Sequence, residues 1–243
     1  MSKKKSLVLF SGGRDSLLST CKTIEEGGRV AMITYDNGCS LATENVKHGA
    51  DRVIKRFGKK NAEFLGVVRI IGKWRDFFLP FKNMKPSEIL KEYGEVTYSQ
   101  FQCLTCRTSM YIDSIIRCKQ FDIDTIIDGA RESQGFAIEL EPMVKRFRKM
   151  FKEFGIDWKT PVWDLKSDWE RECELMEYKL PEPPTFTEMQ CLLGVPLDQN
   201  PPPEEVIQGT VKLFDKFVLP KVPKMVEQNK HRPLVNSLEI GWF

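Results

Sequence analysis

At 243 residues, with 41% hydrophobic and 29% charged side chains, the chain is long enough for one substantial core, alone or with a small appendage, and its mixture excludes a fibrous or disordered polymer. Its 37 Lys and Arg against 34 Asp and Glu leave a formal charge of +3, which permits a nucleic-acid partner without requiring one. No apolar run reaches the length of a membrane span, and Met1-Ser2-Lys3-Lys4-Lys5 leaves no room for a signal peptide, so a cytoplasmic protein without a membrane partner is expected.

Residues 6–10 read as a buried strand, 15–26 as a helix ended by Gly27-Gly28, and 29–35 as a second strand closing in Asp36-Asn37-Gly38. Residues 42–57 have helical periodicity with Gly58 as a stop, and 62–71 is a third strand. Strand and helix alternate, which predicts a parallel sheet wound by helices. Residues 72–102 are rich in aromatics, contain Pro80 and Pro86 and hold no period; they read as an insertion or lid, or equally as a core-packing loop, with a short helix at 86–92. A helix is expected over 106–121 and a buried strand over 124–130. Glu141 to Phe154 is an amphipathic basic helix, and Pro161-Val162-Trp163 is the expected last strand. Ser167 with Glu170 three positions on marks a capping box for a helix to Leu180. Prolines break the chain at 181–184 and 201–203, and 204–225 is helical in spacing, with interruptions at Pro220 and Pro223. The expected fold class is α/β: a doubly wound parallel sheet of about five strands with C-terminal helices. Residues 1–135 would form a nucleotide-binding core, and 136–243 a helical part packed on it and expected to bind substrate.

Between the first strand and helix stands Ser11-Gly12-Gly13-Arg14-Asp15-Ser16. Paired glycines allow close backbone approach, a helix N-terminus points its amides and dipole at the loop, and Ser11, Ser16 and Arg14 add donors. The expected ligand is a phosphate chain, although a plain strand-to-helix turn with a serine cap has the same local form. It is neither a Walker A loop nor a Gly-x-Gly-x-x-Gly turn. In an open parallel sheet, ligands sit outside the carboxyl ends of the strands, so the turns at 11–16, 35–38 and 128–133 should face one crevice.

Seven cysteines, an odd number without an export signal, do not read as a disulfide framework. Cys103-Leu104-Thr105-Cys106, followed by Arg107, suits a dithiol pair, a zinc site or part of an iron–sulfur site. Placed at a helix start, these thiols would have a lowered pKa; two buried cysteines that merely fall close together remain an alternative. Cys21 and Cys118 read as core, and Cys39 as a structural residue that could face the crevice.

The Ser11–Ser16 loop resembles the SGGxDS signature of the PP-loop (N-type) ATP pyrophosphatases, whose fold is the adenine nucleotide alpha-hydrolase-like sheet. The resemblance implies that ATP is cut between its α and β phosphates, that a substrate oxygen is adenylated, and that pyrophosphate leaves. Ser11, Gly12, Gly13 and Ser16 would then hold the phosphates, Arg14 and Mg2+ would neutralise them, and Asp15 would ligate Mg2+ or brace the loop. Thr34, Tyr35 and Asp36 would meet adenosine, and Gly129 and Arg131 would line the same crevice, with Arg131 either a second phosphate contact or a surface charge. Many members have Lys where this chain has Arg14.

In motif order the chain is most similar to the tRNA 2-thiolation members, in which a C-x-x-C between the third and fourth strands precedes an Arg-containing helix and a third cysteine follows downstream. Cys103, Cys106 and Arg107 match in order, and Cys191 is the favoured third ligand over Cys173. The set would hold a 4Fe-4S cluster (zinc is the alternative) or carry sulfur. The zinc-binding cysteines of the 7-cyano-7-deazaguanine synthases are missing, and the match covers roughly the first 135 residues. Adenylation followed by thiolation of a nucleobase-type substrate, with tRNA among the implied partners, is therefore expected, with Arg14, Asp15, Cys103 and Cys106 catalytic. A sulfur-donor protein and a homodimer are compatible with it. The rivals are amide or nitrile formation with ammonia, and a non-catalytic zinc- and nucleotide-binding module.

Overall fold

A computed structural model describes residues 4–132, 136, 139–181, 188–192 and 203–231 of the chain. The first apolar run forms β1 (Lys5–Leu9), which leads through Ser11–Gly13 into α1 (Arg14–Glu25). The chain continues as β2 (Arg29–Asp36), a two-residue strand β3 (Ser40–Leu41), α2 (Val46–Phe57) and β4 (Ala62–Arg69). With β5 (Thr125–Ile127) and β6 (Asp157–Lys159), these make a five-stranded sheet of order β4-β2-β1-β5-β6 in which every pair is parallel. This is the doubly wound α/β architecture that the alternation predicts.

Side chains alternate along a strand, and β1 uses that alternation to serve two cores. Val8 faces α1 and α2, packing with Leu17, Ile24, Ala50 and Val53. Leu7 and Leu9 face the larger core on the other side, where α5 (Tyr98–Gln120) supplies Leu104, Ile112 and Ile115, and α6 (Glu141–Glu153) supplies Val144, Phe147 and Phe151. The basic helix therefore forms as its amphipathic pattern predicts. So does α7 (Asp168–Glu177), where Ser167 Oγ accepts from the Glu170 amide at 3.1 Å and the Glu170 carboxylate accepts from the Ser167 amide at 3.0 Å.

Three expectations are corrected. Residues 72–102 are not an irregular lid: besides the short helix expected at 86–92, which forms as α4 (Pro86–Tyr93), they make α3 (Ile71–Lys82) and the start of α5. Long-range aromatic packing holds them there. Phe81 stacks on Phe101 with centroids 3.8 Å apart, and Phe217 from the far end of the chain meets Phe81 edge-on at 5.6 Å. The last sheet strand is Asp157–Lys159, and 161–164 form a turn after it. The C-terminal prolines do not interrupt the helical path. α8 (Glu204–Leu213) runs through a π turn at Phe214–Val218 and a 3-10 turn at Leu219–Lys221 into α9 (Val222–Asn229). The change to π geometry comes at Phe214, before either proline; Pro220 and Pro223 then stand near the starts of the 3-10 turn and of α9, where a missing N–H costs least. Ser133, Glu182–Pro184 and Pro201-Pro202, expected in a crevice turn and in proline breaks, lie outside the described residues. Among the described residues no helix is long and apolar enough to cross a membrane.

Candidate active site

The carboxyl ends of β1, β2 and β5 open onto a cavity of about 310 Å³, the lower end of the range of small-molecule sites. The β1–α1 loop supplies Phe10, Ser11, Asp15 and Ser16 to its wall, the end of β2 supplies Thr34, Tyr35 and Asn37, and Asp128 and Gly129 follow β5. The two turns after β2 and β5 do share one crevice with the loop.

The loop is closed on itself. Ser16 Oγ donates to the Gly13 carbonyl at 2.9 Å and lies 3.2 Å from Ser11 Oγ, which accepts from the Gly13 amide at 3.3 Å. Gly12 has φ +76°, a left-handed conformation that favours glycine. Gly13 at the N-cap has no side chain to cap α1, and among the described residues none other does, so its first amides remain available to an anion. Gly129 is needed for close approach: a Cβ there would lie 3.1 Å from Asp15 C and Ser16 N.

The charged members of the motif do not point where a phosphate cradle alone would send them. Arg14 turns away from the cavity to α7, its Nη1 donating to Glu172 at 3.0 Å and its Nη2 to Asp168 at 3.3 Å. The hydrogen bond that Arg14 donates to the Glu172 carboxylate holds the guanidinium's pKa above its ordinary value. Asp15 Oδ1 accepts from Arg171 Nη1 at 2.7 Å and lies 3.2 Å from Arg131 Nε. Arg131 is thus a buried partner of Asp15 rather than a surface charge. Arg171 carried no signal in the sequence, because it stands 156 positions from Asp15.

At the end of β2, Thr34 Oγ1 donates to the Phe10 carbonyl, and Tyr35 OH lies 2.9 Å from Ser114 Oγ. Asp36 is not on the cavity wall: it accepts from the Gly38 amide at 2.8 Å and pairs with Arg69 at 3.4 Å, so it shapes the turn. The neighbouring Asn37, which the motif reading passed over, does reach the cavity. Its Oδ1 accepts from the Cys39 amide at 2.8 Å, which aims Nδ2 at Cys106 Sγ, 3.2 Å away, and at Cys191 Sγ, 3.9 Å away.

Cys103 and Cys106 line the cavity with Arg107, but they lie inside α5 rather than at its start. The helix begins at Tyr98, where Thr97 and Gln100 form a capping box. The expected lowering of the thiol pKa is overturned: burial pushes Cys103 up to about 12 and Cys106 up to about 11, against the pull of Arg107 and, for Cys106, of Asn37. Cys191 joins them through β7 (Gln190–Cys191), which pairs antiparallel with β3, whereas Cys173 on α7 is not on the wall. Cys39 lies beside this pairing, its carbonyl accepting from the Leu192 amide at 2.9 Å. Cys21 and Cys118 are buried core residues, as expected.

Asp128 accepts from Arg107 Nη1 at 3.2 Å and from Tyr111 OH at 2.7 Å, which fixes Arg107 at the cavity. Burial raises the nearby Glu139 carboxyl from 4.5 to about 8. Among the described residues, no three Cys, His, Asp or Glu side chains gather in an arrangement that could hold a metal ion. As placed, Asn37 Nδ2 meets both Cys106 and Cys191 Sγ, so an amide donor rather than a metal ion faces these two thiols.

No protein-family model and no curated protein matches the sequence. Solved structures do. A 4-thiouridine synthetase in complex with RNA and ATP aligns with a TM-score of 0.60 at 14% identity, covering 94% of this chain and 54% of that one, so the chain spans about half the length of that structure. A predicted subunit of tRNA methyltransferase from Methanocaldococcus jannaschii aligns at TM-score 0.45 and 17% identity, over 72% of this chain and 76% of that one. NMN synthetase from Francisella tularensis aligns at TM-score 0.47 and 13% identity, over 97% and 90%. The chain thus shares the fold of the aligned 4-thiouridine synthetase, a parallel α/β sheet with helices on both faces, and carries its SGGRDS loop at the mouth of that sheet.

Proposed function

We propose that the chain uses ATP to adenylate a carbonyl oxygen of a nucleobase-type substrate, releasing pyrophosphate, and then replaces that oxygen with sulfur. One observation carries the reading: a single cavity joins the Ser11–Ser16 loop to three thiols, Cys103, Cys106 and Cys191. The aligned 4-thiouridine synthetase, a protein in complex with RNA and bound to ATP, is consistent with it and makes an RNA the first substrate to try.

The loop amides, Ser11 and Ser16 would position the phosphates, and Mg2+ would add charge neutralisation to the departing pyrophosphate. In-line attack by the substrate oxygen breaks the Pα–O–Pβ bond. A persulfide on Cys106, loaded by a sulfur-donor protein, would attack the adenylated carbon and expel AMP. A second thiol, Cys103 or Cys191, would then release the thiolated product by forming a disulfide, which a dithiol reductant reopens. Arg107, fixed by Asp128, would face the substrate oxygen. Residues 136–243 would contribute the substrate-binding surface.

The buried thiols favour a second reading on one point. With pKa values of about 12 and 11, free Cys103 and Cys106 are almost wholly protonated at neutral pH, which suits cysteines that shape the cavity while ammonia attacks. Incubation with ATP, tRNA and a sulfur donor, followed by mass spectrometry of nucleosides and small metabolites, separates the two. Gain of sulfur in place of oxygen supports thiolation, gain of nitrogen supports the amide- or nitrile-forming reading, and no pyrophosphate from ATP with any substrate tried sinks both.

A further inference from the structure

Two buried arginines stand behind the one carboxylate of the PP-loop. Arg171 and Arg131 both meet Asp15 Oδ1, at 2.7 and 3.2 Å, and their side chains are only 4% and 8% exposed. Arg171 is further fixed by its Nε to the Ser167 carbonyl at 3.3 Å and by Nη2 to Asp168. Glu139 lies near Arg131, and its carboxyl accepts the Arg131 backbone N–H. Asp168 and Glu172 also engage Arg14 from the solvent side. Three guanidiniums thus surround the loop, each met by a carboxylate, and α7 contributes one of the arginines and two of the acids. Asp15 reaches the cavity wall, whereas Arg131 and Arg171 do not.

We infer that Arg171, together with Arg131, is a pyrophosphate contact for which Asp15 is the exchangeable counter-ion. This rests on the reading of the loop as an ATP site. A phosphate seated on the uncapped amides of α1 adjoins Asp15 and repels its carboxylate. The same phosphate attracts the two guanidiniums that Asp15 now neutralises. One oxyanion replaces the other: Asp15 turns toward solvent or a cation, and Arg171 closes α7 over the phosphate end of the nucleotide. Arg171 suits the task, because its planar fork meets phosphate oxygens as readily as carboxylate oxygens. The exposed pairs of Arg14 with Asp168 and Glu172 add little to hold α7 against such a movement.

Calorimetric titration with inorganic pyrophosphate, AMP and ATP, with and without Mg2+, tests the exchange. A charge-assisted contact of this kind corresponds to roughly 10- to 100-fold in affinity. Arg171→Gln is expected to weaken pyrophosphate and ATP by about that factor while leaving AMP within about twofold, and Arg171→Lys is expected to recover part of the loss. Asp15→Asn is expected to tighten metal-free pyrophosphate about 10-fold, because it frees both guanidiniums, and that gain should vanish in Asp15→Asn/Arg171→Gln. Unchanged pyrophosphate affinity in a folded Arg171→Gln, a gain that persists in the double variant, or a flat pyrophosphate titration of the wild type overturns the inference. If Arg171→Gln fails to fold, Arg171→Lys and Asp15→Asn decide it. Wild-type protein that takes pyrophosphate in this pattern but neither AMP nor ATP leaves the exchange standing and removes the nucleotide reading.

Discussion

Replacing Glu139 by Gln should change how stability depends on pH. Glu139 is 3% exposed, and burial is the largest cause of its raised pKa, with the Asp128 charge adding to it and Arg107 and Arg131 opposing. The carboxyl therefore titrates near 8 in the folded protein and near 4.5 when unfolded. Between those values the folded state holds a proton that the unfolded state has lost, so stability falls as pH rises through the window. At about 1.4 kcal/mol per pH unit the whole window is worth at most about 5 kcal/mol, and relaxation of Arg107 and Arg131 toward the new charge reduces it. Gln has the same shape and no proton to lose. Urea denaturation midpoints measured from pH 5 to 9 should therefore show the wild type losing stability relative to Glu139→Gln, by about 3 kcal/mol between pH 5.5 and 7.5 before relaxation. Below pH 4.5 the difference should be constant. Parallel curves across the range would refute the argument, because they would mean that Glu139 is as easily ionised folded as unfolded.

Three further outcomes follow from the geometry. Gly129→Ala places a Cβ 3.1 Å from backbone atoms of Asp15 and Ser16; we expect about a 10-fold loss of ATP affinity in calorimetry with a destabilisation of about 1–3 kcal/mol. Asn37→Ala removes the amide that faces Cys106 and Cys191. The Cys106 pKa should then rise further, and Cys106 alkylation by iodoacetamide at pH 8.5 should slow several-fold; an unchanged rate would show that the amide does not stabilise the thiolate. Gly209→Ala drives a Cβ into the Glu95 carbonyl oxygen, so thermal melts should show one of the larger losses of any single substitution in α8, about 3 kcal/mol or more.

What could be read from the sequence was what neighbouring residues decide. Leu7 to Phe10 followed by two glycines, and Ser167 with Glu170, are local signals, and β1, the loop and α7 all formed where those signals put them. α4 forms where the short helix at 86–92 was expected, but α3 and the start of α5 depend on Phe81 and Phe101 meeting Phe217, more than a hundred positions away, and no local period records that contact. The site divides in the same way. Ser11, Gly12, Gly13 and Ser16 are legible as a unit, but Arg171 reaches Asp15 only because α7 packs along α1, and Cys191 reaches the cavity only because two residues of β7 pair with two of β3.

The position of the C-x-x-C pair shows how far one overlooked local signal propagates. Thr97 and Gln100 are a capping box in plain sequence, and they start α5 eight residues before Cys106. That shift takes both thiols out of reach of the helix N-terminus, whose field fades within the first turn, and sets them on the cavity wall against the core, where desolvation dominates. The sign of the expected pKa effect reverses as a result, from lowered to about 12 and about 11. A sulfur chemistry at this site cannot draw on a thiolate prepared by the helix. It needs Arg107, Asn37 or the substrate itself to stabilise the charge, and among these only Asn37 hydrogen-bonds a C-x-x-C thiol, that of Cys106. Cys106 rather than Cys103 is therefore the thiol on which the nucleophilic role should fall: Cys106→Ser should abolish thiolated product while pyrophosphate release persists, and Cys173→Ser should change neither.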